Sequence, residues 1–437
     1  MLEKKNLFQV LIVFLMFNIS MLFAGGQREI PTDIKGQEIV QLRFFFPGGR
    51  GRDEAYGALV AEFETVHPTV KIEIQTAPYA DYFAQLPVMW TSNNPADIVL
   101  VDSPDVKAYA YNEAIVPLGD VFSAEDLSDF ARSIVSELKF KNELYAGPVE
   151  ESAIAVYYNK DLFQQAGIVV PERLDNAWTW PEFVKNVQKV IEDNSAQGKA
   201  NLWGLVFLGN PPVSDYWSIP FIRSMGKPGS PTFTGISSDG TRISGFADTE
   251  EAYRAYQFWQ DIYNRWKLAP KETIPDAFGS GKAVTMISFP AWGSRLTKNF
   301  PGLNWGVMPL PYHNTPITHT GGFALAVSRK SKHIKEAKEF IQYVTSPKGF
   351  MKYYSISSIM PARKSLLDSI DDFQKGSLRV FRDELIEWGY PRPEGPGHDI
   401  YNSMISKMMI DIAKGADIGE IVPATVQAID RQLSRFK

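Results

Sequence analysis

Apolar and polar residues alternate where the ordered pattern of this chain begins. In VQLRFFF, Val40, Leu42, Phe44 and Phe46 alternate with Gln41 and Arg43, the pattern of a strand with one face buried. A Pro47-Gly48-Gly49 turn follows. Asp53 is expected to cap a helix carrying Ala55, Leu59, Phe63 and Val66 on one face, and His67-Pro68 stops it. VKIEIQ alternates again from Val70, and a second helix is expected from Asp81 to Trp90. Asn93-Asn94-Pro95 breaks that helix, and DIVLVD (Asp97 to Asp102) has the continuous apolar character of a fully buried strand. This β-α-β-α-β succession opens a parallel sheet with helices on its faces, and ligands in such sheets sit beyond the carboxyl ends of the strands. Those ends are Phe46 to Arg50 and Asp102 to Asp105.

The pattern continues in the same class. SAIAVYYN (Ser152 to Asn159), Leu202 to Leu208, Ala283 to Ile287 and Gly322 to Val327 predict buried strands. Ser123 with Glu125 and Asp126, Thr179-Trp180-Pro181-Glu182, Asp248-Thr249-Glu250-Glu251, Ser331, Ser346-Pro347 and Asp417 with Glu420 mark helix starts. Residues Pro228 to Gly245, rich in Gly, Ser and Thr, predict surface turns or a short hairpin. The final third is mostly helical, broken between Tyr390 and Gly397.

Composition narrows the function. A length of 437 residues predicts two or three domains. The net charge of -5 provides no basic field, so no nucleic-acid partner is expected. With no cysteine in the chain, disulfides, thiolate chemistry and cysteine metal sites are excluded. Aromatic content of 13%, including 10 Trp, fits either a large core or a ring-lined binding site. At the N-terminus, Lys4 and Lys5 precede an apolar run from Leu7 to Phe23 and then Ala24-Gly25-Gly26. This predicts a secretory signal over residues 1–24, cleaved after Ala24, with 25–39 as a linker; an uncleaved membrane anchor is the alternative. Leu22-Phe23-Ala24 also resembles a lipoprotein box with Gly25 in place of its cysteine. Either way the body of the protein is expected at the periplasmic or extracellular face of the cytoplasmic membrane.

Several collinear stretches resemble one family. They are PADIVLVDSPDVKAYAYNEAIVPL, YAGPVEESAIAVYYNKDLFQQAGI, TWPEF, GSGKAVTMISFPAWG and GGFALAVSRKSKHIKEAKEFIQYVTSPKGF. Their order and spacing resemble the extracellular solute-binding proteins of ABC importers, in the carbohydrate-binding group that includes maltose-binding protein. The resemblance implies an α/β periplasmic-binding-protein clamshell. Each lobe would be an open mixed or parallel sheet flanked by helices, and several hinge crossings would join the lobes. Lobe 1 would hold 40–149 and 306–345, and lobe 2 would hold 150–305 and 346–437. It further implies a carbohydrate ligand, ABC permease subunits with their ATPase as partners, a monomer, no cofactor and no metal.

Carried over by position, the resemblance places ligand contacts at Phe46, Gly49 and Arg50 in the first loop, though Arg50 reads equally as a solvated charge. Asp102, Ser103 and Asp105 follow the third strand, where Asp102 could instead cap a helix. Glu150, Glu151 and Ser152 lie before the lobe-2 strand, and which of them would bond the ligand stays open. Trp292, after a strand, is expected to stack on the sugar rather than pack in the core, although a family tryptophan would also fall at Ala291. Gly321 and Gly322 would let backbone approach the ligand, or simply turn. Trp217 and Tyr390 are further wall candidates, and Tyr82 would close the open end or cover its helix. A sugar needs flat rings for its C–H faces and carboxylates or amides for its hydroxyls. The rival is a secreted glycosidase using Glu150 or Glu151 with Asp102, which needs two carboxyl groups at a defined separation. Neither a G-x-S-x-G nor an H-E-x-x-H motif occurs among these residues.

Overall fold

The computed structural model describes residues 38–198 and 201–437; the expected signal segment and all but the end of the linker lie outside the described residues. The chain opens with β1 (Val40–Pro47), β2 (Val70–Ala77) and β3 (Ile98–Asp102). β2 and β3 flank β1 and both run parallel to it, with Val40 opposite Val70 and Phe44 opposite Ile98. A two-residue pair, β4 (Lys139–Phe140) and β5 (Glu143–Leu144), precedes β6 (Gly147–Pro148). Next come β7 (Ala155–Asn159), β8 (Trp203–Val206), β9 (Ala283–Ser288) and β10 (Trp305–Met308), followed by β11 (Thr318–His319), β12 (Phe323–Val327) and β13 (Gly389–Tyr390). Two main sheets result, in the orders β2-β1-β3-β12-β6 and β10-β7-β9-β8. Both are mixed: β12 is antiparallel to β3, and β7 is antiparallel to β9 and β10.

Each sheet is buried between helices. The helix Arg52–Val66 places Ala55, Tyr56, Leu59 and Phe63 against the first sheet, and Ile334–Thr345 covers it through contacts with β1, β6 and β12. On the second sheet, Trp180–Ala196 packs on β8 and β9, and Ser377–Glu387 packs on β7 and β10. The helices Glu250–Asn264, His398–Lys414 and Ile418–Leu433 pack on one another beside it. Capping chemistry fixes several starts as expected: Ser123 with Asp126 and Thr179 with Glu182 form reciprocal boxes, while Thr249, Ser346 and Asp417 each cap one helix.

Four local expectations change. Gly51, at φ 75, precedes the first helix, and Asp53 lies inside it, accepting from the Gly49 amide at 2.5 Å. Residues 228–245 form a short helix (Pro231–Thr234) and turns, with no strand. Trp305–Met308 pairs with β7, and Asn314 and Thr315 still donate to the Ser224 carbonyl, so Gly306 does not begin the return to the first sheet, which the chain rejoins with β12. Beyond residue 345, the helix Pro347–Ser357 still packs on Arg52–Val66, and the Ser365 backbone amide donates to the Asp129 carboxylate at 2.9 Å. The chain rejoins lobe 2 only with Ser377–Glu387.

Where the chain crosses between lobes, three extended segments lie side by side. The amides of Val149 and Glu150 both donate to the Phe323 carbonyl at 3.0 Å, and Phe323 donates back to Glu150 at 3.2 Å. Glu151 donates to the Met360 carbonyl at 3.0 Å, and Glu150 bridges Pro361. This junction requires glycine at 322, because a Cβ there would lie 1.7 Å from the Glu150 carbonyl oxygen. Gly322→Ala is therefore expected to destabilise the protein by about 3 kcal/mol or more in chemical denaturation. A loss within about 0.5 kcal/mol, ordinary for a surface position, would contradict the close approach.

Candidate functional site

The crossing segments form the floor of a cleft of about 260 Å³ between the lobes. Its walls come from strand ends, as open α/β sheets dictate. Lobe 1 contributes Arg50 and Tyr79 beyond β1 and β2, Asp102 at the end of β3 and Phe323 at the start of β12. Lobe 2 contributes Leu208 beyond β8, Phe289, Pro290 and Ala291 beyond β9, and Ser214, Tyr216 and Trp217 at the start of the helix Asp215–Arg223. The rings form one continuous lining on the lobe-2 side: Tyr216 lies 4.9 Å from Trp217, which lies 6.1 Å from Phe289.

Polar groups under the cleft are organised by two ion pairs. Arg52 donates Nε to Glu150 Oε1 and Nη2 to Oε2, each at 2.7 Å, and Tyr353 donates its hydroxyl to the same carboxylate at 2.5 Å. Arg52 is 0% exposed and Glu150 4%. Burial alone would depress the Arg52 pKa, but the adjoining Glu150 charge outweighs it and raises the pKa above its ordinary value. Arg392 likewise donates Nη2 to Asp102 Oδ1 at 2.6 Å and lies 5.7 Å from the Tyr216 ring, so it joins lobe 1 to lobe 2. The backbone amide of Arg392 donates to Glu137 at 3.1 Å, and the Ser103 hydroxyl donates to the other oxygen of that carboxyl. Burial pushes the Glu137 carboxyl up to about 8, against the opposing pull of Arg392.

Glu151 differs from its neighbour. Its Oε1 accepts from the Ser152 and Gly321 amides at 2.9 and 3.1 Å, while its buried Oε2 has no partner. Burial, and then the nearby Glu137, raise its pKa well above the ordinary carboxylate value. The Ser152 hydroxyl is satisfied between the Tyr216 hydroxyl at 2.7 Å and the Gly321 carbonyl at 2.5 Å. Arg392 Nε and Arg52 Nη1 are also buried without partners.

Of the residues singled out in the sequence, Arg50, Asp102, Glu150, Glu151, Ser152, Trp217, Gly321 and Gly322 meet at this cleft. Seven others do not. Phe46 is wholly buried against Phe44 and Tyr56, on the inward face of β1. Gly49 faces solvent in the turn. Tyr82 is buried because its hydroxyl donates to the Phe45 and Leu100 carbonyls, tying β1 to β3. Ser103 serves Glu137 behind the wall, and Asp105 lies away from the cleft, 4.0 Å from His398 Nε2. Trp292 begins the helix Trp292–Asn299 and is half-buried under Arg295, whose guanidinium carbon is 4.4 Å from its ring; Ala291 lines the cleft instead. Tyr390 packs edge-on against Phe233 at 4.8 Å. The sequence reading missed Tyr79, Tyr216, Phe289, Phe323 and Arg392. Phe289 was the one most accessible to it, as the first residue after a recognised strand.

Two open-faced α/β lobes, a ring-walled cleft between them and a floor made of the crossing segments define a binding receptor of the clamshell class. The chain belongs to the bacterial extracellular solute-binding protein family, whose model matches residues 58–379. It is 22% identical to the multiple sugar-binding protein of Streptococcus mutans, over 85% of this chain and 87% of that protein. It is 21% identical to the melibiose/raffinose/stachyose-binding protein MelE of Bacillus subtilis, over 84% of each. Among solved structures, the GacH receptor of Streptomyces glaucescens, known unliganded and with acarbose, superposes with a TM-score of 0.74 at 20% identity, covering 92% of this chain and 100% of that one. The maltotriose-bound maltotriose binding protein of Thermus thermophilus gives 0.71 at 19%, covering 90% and 100%.

Two outcomes test this electrostatic arrangement. Glu150→Gln leaves the Arg52 guanidinium buried without a counter-ion and is expected to cost about 3–5 kcal/mol of unfolding free energy. The raised Glu137 pKa makes stability depend on pH. Below the ordinary value of 4.5 both the folded and unfolded states keep this proton, and the stabilisation is full. Between 4.5 and about 8 only the native state keeps it, so stability falls as pH rises and that contribution is gone above the folded pKa. The melting temperature of Glu137→Gln should decline less than the parent's from pH 5 to pH 8; parallel curves would show that the group does not titrate this way.

Proposed function

We propose that the protein captures a sugar or oligosaccharide in the interlobe cleft by hinge closure and delivers it, as a monomer, to the permease subunits of an ABC transporter at the outer face of the cytoplasmic membrane. The observation that carries this reading is the pairing of rings with unspent polar atoms in one cleft. Tyr79, Tyr216, Trp217, Phe289 and Phe323 offer flat apolar faces, while Glu151 Oε2 and Arg392 Nε are buried and unbonded. A sugar presents the complementary surface, with C–H faces and hydroxyls at its edge. Relatives described as sugar-binding and neighbours holding acarbose or maltotriose support the same class of solute.

Closure follows from differential affinity. Rings on opposite lobes contact one solute only when the lobes are together, so the solute favours that state. The glycosidase alternative gains nothing from the geometry. Of its carboxylates, Glu150 is held by Arg52 and Tyr353 and Asp102 by Arg392, which leaves Glu151 without an uncommitted second carboxyl group to work with.

Calorimetry across mono- and oligosaccharides tests the reading. Binding without product is expected, and Trp217→Ala should weaken it by about tenfold or more, since one stacking ring contributes on the order of 1 kcal/mol beyond its buried area. Trp292→Ala, away from the cleft, should leave affinity within about threefold. Turnover of a glycoside, or equal effects of the two tryptophans, would contradict the assignment.

A further inference from the structure

Three guanidinium groups serve the cleft, and only two of them have a carboxylate. Arg52 is held by Glu150 and Arg392 by Asp102. Arg50 has neither an ion pair nor a hydrogen bond to its guanidinium among the described residues; it lies 5.3 Å from the Tyr79 ring and 5.1 Å from the Phe289 ring, one on each lobe. The nearest acid in its own loop, Asp53, is taken by the Gly49 amide. The backbone there is unusual too. Gly49, Arg50 and Gly51 have φ of 87, 58 and 75, and the middle residue keeps a long side chain where glycine would be unstrained.

The remaining acid at the cleft, Glu151, does not balance Arg50. One of its oxygens is taken by the Ser152 and Gly321 amides, the other is buried without a partner, and burial raises its pKa well above the ordinary carboxylate value. With Arg52 paired to Glu150 and Arg392 to Asp102, the Arg50 guanidinium at the cleft is left against two aromatic rings and no carboxylate. Although Arg50 is exposed as a residue, desolvation of its guanidinium between the rings, and then the Arg52 charge, lower its pKa. An oxyanion supplied by the solute would relieve both effects. Arg392 Nε and Glu151 Oε2, on two further residues that line the cleft, are buried without partners.

We propose that Arg50 anchors an oxyanion carried by the solute, so that the cleft selects an acidic sugar, a uronic acid or a sugar phosphate, over its neutral counterpart. This rests on the carbohydrate reading above. A charge-assisted arginine–carboxylate or arginine–phosphate bond is among the stronger polar contacts available, whereas a neutral hydroxyl leaves the charge uncompensated.

Calorimetry on matched pairs tests it: galacturonate against galactose, digalacturonate against the neutral galactose disaccharide, and glucose 6-phosphate against glucose. The acidic member of at least one pair should bind roughly tenfold or more tightly, with the preference shrinking as salt rises. Whether the uronate or the phosphate pair shows it identifies the source of the oxyanion. Arg50→Gln should bring the acidic-to-neutral ratio close to one, and Arg50→Lys should restore part of it. Neutral members binding as well or better, or an acidic preference that survives Arg50→Gln, would overturn the inference and leave the carbohydrate reading standing. Binding of neither kind would remove that reading and this inference with it.

Discussion

Arg52 and Glu150 are buried together at the first crossing of the chain from lobe 1 to lobe 2. An isolated charge at such a site is so costly that the group would neutralise or the structure would open. The pair tolerates burial because two parallel N–H bonds and the Tyr353 hydroxyl satisfy the carboxylate, and the Phe323 ring lies 4.8 Å from the guanidinium. Its importance lies in what it connects. Arg52 is the first residue of the lobe-1 helix, Tyr353 belongs to a second helix, and Glu150 lies on the first crossing. One interaction therefore fixes the loop before the helix, the cleft floor and the start of the path into lobe 2.

The loop follows directly. With Arg52 anchored and Gly51 in a left-handed turn, residue 50 has little freedom, and its side chain projects towards the rings of both lobes. The floor follows as well. Glu150 is pinned by Phe323 and Pro361 and the Glu151 amide by Met360, and Gly322 must lack a side chain to lie against Glu150 and Glu151.

Sequence reasoning succeeded where the signal was local and periodic. The alternation through Val40 and Val70, the Thr179–Glu182 and Ser123–Asp126 boxes and the apolar runs of β3, β7 and β9 all predicted the elements that form. Asp102, tied to a strand end, and Glu151 and Gly321, tied to a crossing, line the cleft. What failed depended on a partner far along the chain or on a one-residue shift. Nothing near Glu150 announces an arginine 98 positions earlier. Arg392 arrives from a Pro-rich stretch without periodicity. Tyr79 and Tyr82 lie one turn apart on one helix, and only the carbonyls of Phe45 and Leu100 decide that Tyr82 turns inward. β9 ends at Ser288, so Phe289 to Ala291 occupy the cleft before a new helix carries Trp292 away.

The cleft's polar atoms divide by what they are bonded to. Asp102, Glu150, Ser103 and Ser152 are satisfied within the protein and hold the frame, which makes them poor reporters of the solute. Glu151 Oε2 and Arg392 Nε are unbonded although buried, and Arg50 is charged without a counter-ion. Buried polar groups without partners are rare because each is destabilising, and those that persist cluster where a missing group completes them. On the reading proposed above, recognition falls to the second set. The same division also explains why neighbouring glutamates, identical in type and adjacent in sequence, do different work: Glu150 faces a fixed cation beneath the floor, and Glu151 keeps one oxygen free at the cleft.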